Sequence, residues 1–117
     1  MISNGIDLVK IDRFKNLITN KTFLINNFNN NEIEYINKHN SLSTIAGLYA
    51  SKEAMLKALK KGINNYSLKD IEIIHDSNNC PSIILHNELE RDFNINNISL
   101  SISHDGDYAI AIVSIIS

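Results

Sequence analysis

The longest helical pattern in the chain runs from Ser41 to Gly62 (SLSTIAGLYASKEAMLKALKKG), where Leu42, Ile45, Ala46, Tyr49, Leu56 and Leu59 recur at spacings of three and four. Ser41 or Ser43 is placed to cap its start, and Gly62 supplies the stop. Ahead of it, Ile2 to Val9 alternates as a strand, with Ile6 and Leu8 on one face and Gly5, Asp7 and Val9 on the other. Lys10 to Asn20 reads as a helix whose apolar stripe is Ile11, Phe14, Leu17 and Ile18. Residues 21–40 predict two short helical pieces bridged by Asn26-Asn27-Phe28-Asn29-Asn30-Asn31. Asn31 is expected to cap the second piece, Ile33 and Ile36 to face inward, and His39 to sit at a frayed surface end.

Beyond Gly62 the period changes to two. Asp70–His75 and Ser82–His86 predict strands joined by the turn-formers of Ser77–Pro81, and Asn87–Phe93 a short helix. Ile98–His104 and Tyr108–Ile116 predict two closing strands around the hairpin signal Asp105-Gly106-Asp107. A strand, then helices, then four strands is an α+β order. Both faces of the last strand are apolar: Tyr108, Ile110 and Ile112 on one, Ala109, Ala111 and Val113 on the other. So small a chain has few elements to cover both, so one face is expected to pack against neighbours in a symmetric oligomer.

Composition narrows the function classes. A chain of 117 residues, 44% hydrophobic and 21% charged, predicts one globular domain over 1–117. A net charge of −2 argues against a general nucleic-acid binder. The single cysteine, Cys80, rules out an internal disulfide and a cysteine-based zinc site. No apolar run approaches membrane-spanning length, and the strand pattern begins too early for a leader, so a cytoplasmic location is expected, with an organellar origin after leader removal left open.

Three positions hold charge where apolar residues would be expected. At about 100° per residue, Leu42, Ala46, Tyr49, Ala50 and Leu56 all fall within about 60° of Glu53. Lys57 follows on the same face, roughly 5–6 Å further along. A Glu53–Lys57 pair with its heads in water explains this pattern; so does a site in which Glu53 holds a cation and Lys57 an anion. Asp7 lies inside an apolar strand, either facing water at an edge or placed for chemistry. His104 ends the apolar row of Leu100 and Ile102, a satisfied structural residue or a site residue. Lys10, Arg13, Lys15 and Lys21 make the N-terminal quarter locally basic, a solvated face or a docking patch for an acidic partner.

Four segments together carry a resemblance: Gly5-Ile6-Asp7-Leu8-Val9, Arg13-Phe14, Lys52-Glu53-Ala54-Met55-Leu56-Lys57-Ala58 and Ser101-Ile102-Ser103-His104. In this order and chain length they resemble the holo-acyl-carrier-protein synthases, the small single-domain 4′-phosphopantetheinyl transferases. The resemblance implies transfer of the 4′-phosphopantetheine arm of coenzyme A to a serine of apo-acyl carrier protein, for fatty acid biosynthesis, with release of adenosine 3′,5′-bisphosphate. It implies Mg2+ ligands at Asp7 and Glu53, and a catalytic lysine near the pyrophosphate at Lys57. It further implies coenzyme contacts at Lys57, Gly62, Ser103 and His104, a carrier-protein contact at Arg13, and a trimer with sites at subunit boundaries. The chain departs from the family in having Leu48-Tyr49 where Arg-Phe is common and Asn78-Asn79-Cys80-Pro81 where the hairpin is often Asn-Gly-Lys-Pro. It also has Lys60-Lys61-Gly62 for Gly-Thr-Gly and Asp105 for a frequent threonine.

The chemistry of the residues agrees with that implication. Two unit charges 4 Å apart interact by about 4 kcal/mol at an effective dielectric of 20, so paired carboxylates would repel a pyrophosphate unless a divalent cation stood between them. Magnesium takes one or two carboxylates and completes its shell with phosphate and water. Two rivals remain: a trimer that binds coenzyme A or a nucleotide without transfer, and a Mg-dependent pyrophosphate hydrolase.

Overall fold

The computed structural model of the chain describes residues 1–60 and 66–117. The long helical pattern becomes α3, Leu42–Ala58, and it is buried on almost every side, Ile45, Ala46, Leu48, Ala50, Ala54 and Met55 among its covered residues. A helix that is apolar all round has to be enclosed. One side is covered by a three-stranded antiparallel sheet in the order β1 (Ile2–Lys10), β5 (Tyr108–Ile116), β4 (Asn97–Asp105). Period-two alternation turns Val9, Leu100, Ala109, Ala111, Val113 and Ile115 onto the helix. Gly5 allows the approach: a Cβ there would overlap the carbonyl oxygen of Ala54 and stand 2.5 Å from the amide nitrogen of Ala58. Two residues earlier, the Ser3 hydroxyl donates to the Ala58 carbonyl at 2.6 Å.

The other side of α3 is closed by a 3-10 turn at Ile11–Phe14, by α1 (Lys21–Asn27) and α2 (Asn30–His39), and by β2 (Ile71–His75). β2 pairs with β3 (Pro81–Leu85) in a separate two-stranded sheet, and α4 (Asn87–Asp92) leads into β4. A buried ion pair ties these parts together. Lys52 Nζ, fully buried, donates to Glu32 Oε1 at 2.7 Å and to the carbonyls of Leu68 and Ile71 at 2.8 and 2.7 Å. Glu32 Oε2 accepts from the amide of Ile73. Burial pushes the Glu32 carboxyl up and the Lys52 ammonium down, and each opposes the shift of the other. Removing one member of such a pair costs about 3–5 kcal/mol, because the other charge is left buried and alone.

Several boundaries differ from the sequence pattern for local physical reasons. β1 continues to Lys10, and the Ile11 amide then donates to Asp107 at 2.9 Å, so Lys10–Asn20 forms a 3-10 turn and further turns in place of an α-helix. The inward stripe survives, with Phe14 fully buried and Leu17 and Ile18 packed on the core. Asn29, not Asn31, caps α2: it forms a capping box with Glu32, which the buried ion pair already fixes in place. Asn31 instead donates to Glu72. Ser41 occupies the N-cap of α3 without a cap bond, its hydroxyl being paired with that of Ser43. α3 ends at Ala58, and Lys60 takes a left-handed φ of 63°. Gly62 lies outside the described residues. Gly106, at φ 56°, is the first of the two residues closing the β4–β5 hairpin, where a positive φ is needed.

None of the described residues covers the outer face of the three-stranded sheet. Ile2, Ile6, Leu8, Tyr108, Ile112 and Ile116 are all exposed there, on the two adjacent strands β1 and β5. A contiguous apolar surface of this kind marks an association face. Light scattering at micromolar concentration should therefore give a mass above that of one 13.2 kDa chain. Ile112→Lys should return the single-chain mass with unchanged circular dichroism; a monomeric wild type would contradict this.

Candidate active site

Gly5 also sets the geometry of the charged residues. With the backbone of α3 resting on β1, Asp7, two residues along the same strand face, meets the helix one turn before its end. Lys57 Nζ lies 2.9 Å from Asp7 Oδ1 and donates to the Ile6 carbonyl at 3.0 Å. The lysine thus pairs across to the strand, and a Glu53–Lys57 pair along the helix is not formed. Asp7 is almost wholly buried while the Lys57 side chain is 57% exposed, so the pair opens at the protein surface.

The second carboxyl, Glu53, is half-buried beside Asp7. Burial, then the Asp7 charge, then the hydrogen-bonding approach of the Asp7 carboxyl all push it above the usual carboxylate range; the Tyr49 hydroxyl and the Arg13 charge oppose the rise. Two ionised carboxylates have no hydrogen to share, and Asp7 Oδ2 is correspondingly buried without a partner. The site therefore carries a buried carboxylate oxygen with no hydrogen-bond partner, next to a carboxyl driven towards neutrality. Both features suit a cation bridging the two. Among the described residues there is no cluster of three or more His, Cys, Asp or Glu side chains, so a metal here would draw two ligands from the protein and the rest from substrate and water. That is the ligand set of Mg2+ and not of structural zinc.

Arg13 sits on the same side, its guanidinium carbon 5.1 Å from the centre of the Tyr49 ring and 5.6 Å from that of Phe14. Ser103 and His104 are elsewhere. In the sheet register, Asp7 pairs with Ala111, which pairs with Ile102, so β4 is two strands from Asp7. At about 4.8 Å per strand, and two residues further along, His104 is on the order of 12 Å away. It lines a groove of about 200 Å3 with Tyr35, Thr44, Gly47, His75 and Asn79. Ser103 points to the opposite, open face of the sheet. One chain thus assembles Asp7, Glu53 and Lys57, with Arg13 nearby, and holds His104 and Ser103 apart from them.

Three aromatic residues near these positions carried little signal in the sequence. Tyr49 matched the core pattern of its helix, and only its i, i+4 spacing to Glu53 hinted at contact. Tyr35 and His75 stack nearly parallel, ring centres 4.2 Å apart, across 40 residues that no periodicity connects. Burial and the neighbouring His39 hold His75 below the ordinary histidine range.

A raised carboxyl has a definite linkage sign. The folded chain binds the Glu53 proton more tightly than the unfolded one does, so that contribution to stability is complete below the unfolded value, 4.5, and is lost as pH rises through the folded value. With metal chelated, Glu53→Gln should raise the melting temperature at pH 7.5 by a few degrees, since the amide can donate to Asp7. The gain should vanish near pH 4. Calorimetric melting showing no gain at pH 7.5 would contradict this account of the pair.

Comparison with known proteins agrees with the geometry. The family model of the 4′-phosphopantetheinyl transferase superfamily matches residues 3–113. The holo-acyl-carrier-protein synthase of Caldicellulosiruptor saccharolyticus is 47% identical over 116 residues, covering 95% of this chain and 94% of the relative. That of Clostridium perfringens is 40% identical over 120 residues, covering 95% and 90%. The crystal structure of Helicobacter pylori holo-acyl-carrier-protein synthase in complex with coenzyme A superposes with a TM-score of 0.87 at 39% identity, covering 99% of this chain and 100% of that one. A shared fold, near-complete coverage and identities of this size place the chain in one family: it belongs to the holo-acyl-carrier-protein synthases of the 4′-phosphopantetheinyl transferase superfamily.

Proposed function

We propose that the chain transfers the 4′-phosphopantetheine arm of coenzyme A to a serine of apo-acyl carrier protein. The observation that carries this reading is the juxtaposition of Asp7 with Glu53, one oxygen of Asp7 buried without a partner and Lys57 at the mouth. The serine oxygen attacks the phosphorus bearing the pantetheine arm, and the bond to the bridging pyrophosphate oxygen breaks, releasing adenosine 3′,5′-bisphosphate. Asp7 and Glu53 would hold Mg2+, which when bound offsets the negative charge of the pyrophosphate. Lys57, its side chain open to solvent at the mouth, would meet the charge that develops on the leaving phosphate. The serine proton passes to a carboxylate oxygen of the site or to water.

His104 and Ser103, with Gly62, are assigned to the coenzyme site. The distance of His104 and Ser103 from Asp7 within one chain supports a site shared between subunits, in which a neighbour brings its His104 groove to the carboxylates. The open apolar face of the β1–β5–β4 sheet supports association, and a homotrimer is the proposed form. Arg13, on a locally basic stretch at the edge of the site, is assigned to docking the acidic carrier protein. A role in fatty acid biosynthesis in the cytoplasm follows from the same reading; among the described residues no helix is long and apolar enough to cross a membrane.

The test is to incubate the protein with coenzyme A, apo-carrier protein and Mg2+, then weigh the carrier protein by mass spectrometry. A gain of one phosphopantetheine arm is expected. An unchanged carrier protein would point to a coenzyme-binding trimer, and free phosphopantetheine to a hydrolase. Asp7→Asn and Glu53→Gln should each abolish most turnover while the fold is kept, and Lys57→Ala should lower the rate with Mg2+ binding largely retained. Near-normal activity in either neutral carboxylate variant would defeat the reading.

A further inference from the structure

The groove beside His104 has two walls from the body of the protein and a third from a hairpin tip. Helix α3 supplies Gly47 and Leu48, and β4 supplies Ile102 and His104. These two walls stand close, since a Cβ at Gly47 would lie 3.0 Å from Ile102 Cγ2. The third wall is Asn79 and Pro81, at the turn between β2 and β3. That turn shapes itself. One carboxylate oxygen of Asp76 accepts from the amides of Asn78 and Cys80 at 2.8 and 2.9 Å, and the Asp76 carbonyl accepts from the Asn79 amide at 2.9 Å. None of these bonds leaves the turn, so none of them sets where the tip stands against α3.

Tyr35 supplies the missing tether. Among the described residues, the one hydrogen bond joining residues 76–80 to anything outside the β2–β3 hairpin runs from the Tyr35 hydroxyl to Asn79 Oδ1, at 3.1 Å. The same ring stacks on His75, the last residue of β2, 3° from parallel and with centres 4.2 Å apart. Tyr35 is itself held by α2, where the next residue, Ile36, is fully buried. Asn79 meets two demands at once. Its φ of 61° lies in the left-handed region that glycine and asparagine adopt most readily, and its amide oxygen is an acceptor that a glycine could not offer.

We propose that Tyr35 is a positioning residue for coenzyme A: through its hydroxyl bond to Asn79 and its stack on His75, it holds the hairpin tip in place as the third wall of the His104 groove. This role rests on the functional reading above, which assigns the groove to the coenzyme. A wall already in place spares the ligand the cost of ordering it. Losing the tether therefore lowers affinity for what the groove holds and leaves the carboxylates of Asp7 and Glu53 untouched.

Coenzyme A titrated by calorimetry, with Mg2+ present, into the wild type and three variants tests the role. Tyr35→Phe keeps the ring and its stack and removes the hydroxyl. Asn79→Gly keeps the turn and removes the acceptor. Each should weaken coenzyme binding about fivefold. The double variant should also lose about fivefold, not about twenty-five-fold, because either change breaks the same bond. In steady-state assays the KM for coenzyme A should rise likewise, with kcat and the carrier-protein KM at wild-type values. Unaltered coenzyme affinity in Tyr35→Phe, or losses that multiply in the double variant, would overturn the proposal. So would an equal rise in both KM values, which would mark a general loss of order. A wild type that takes up no coenzyme A would overturn the functional reading itself, and the role of Tyr35 with it.

Discussion

The backbone of α3 rests directly on the backbone of β1 at Gly5, and most of what the protein presents at its surface depends on that contact. No side chain fits between the two elements there, since a Cβ would enter the space of the Ala54 carbonyl. The close approach brings residues two positions along the strand into range of side chains at the next helical positions. Asp7 thereby reaches Lys57 directly and stands beside Glu53. With a wider separation the same carboxyls would be solvated and independent, and neither the unpartnered oxygen nor the raised proton affinity would arise.

Neighbouring charges on this helix have opposite fates. Lys52 points into the protein, where Glu32 and two carbonyls complete its hydrogen bonds and hold α2 and β2 to the helix. Glu53, the next residue, faces a second carboxylate. The first arrangement is closed, with every donor used, and serves the fold. The second leaves an anionic oxygen buried with nothing to accept. Proteins retain such imbalance where a ligand is to supply the missing charge. The contrast separates a closed ion pair from an open one on hydrogen-bond accounting alone.

The sequence made the site's core legible because its charges interrupt strong periodic patterns. Asp7 breaks a strand face and Glu53 a helix face, so both stood out before their contact was known. The α+β order and the closing hairpin were readable for the same reason. Lys10–Asn20 was misread because an apolar stripe at Ile11, Phe14, Leu17 and Ile18 fits a helix, while the hydrogen bond from Ile11 to Asp107 that stops the helix spans 96 positions. The Glu32–Lys52 pair and the Tyr35–His75 stack were hidden likewise, since local pattern carries nothing about partners 20 or 40 residues away. The cap moved from Asn31 to Asn29 because Glu32, bound by Lys52, selects the asparagine that completes a box with it.

The central claim is that two carboxylates, brought together by a helix lying on a glycine, share one cation with the substrate. A crystal structure with Mg2+ and coenzyme A bound tests it most directly. One ion should lie about 2.1 Å from an oxygen of Asp7 and from an oxygen of Glu53, with pyrophosphate oxygens and water completing an octahedron. An ion held by one carboxylate alone, or carboxylates more than roughly 8 Å apart, would contradict the account, because ligands of one such ion cannot be so far separated.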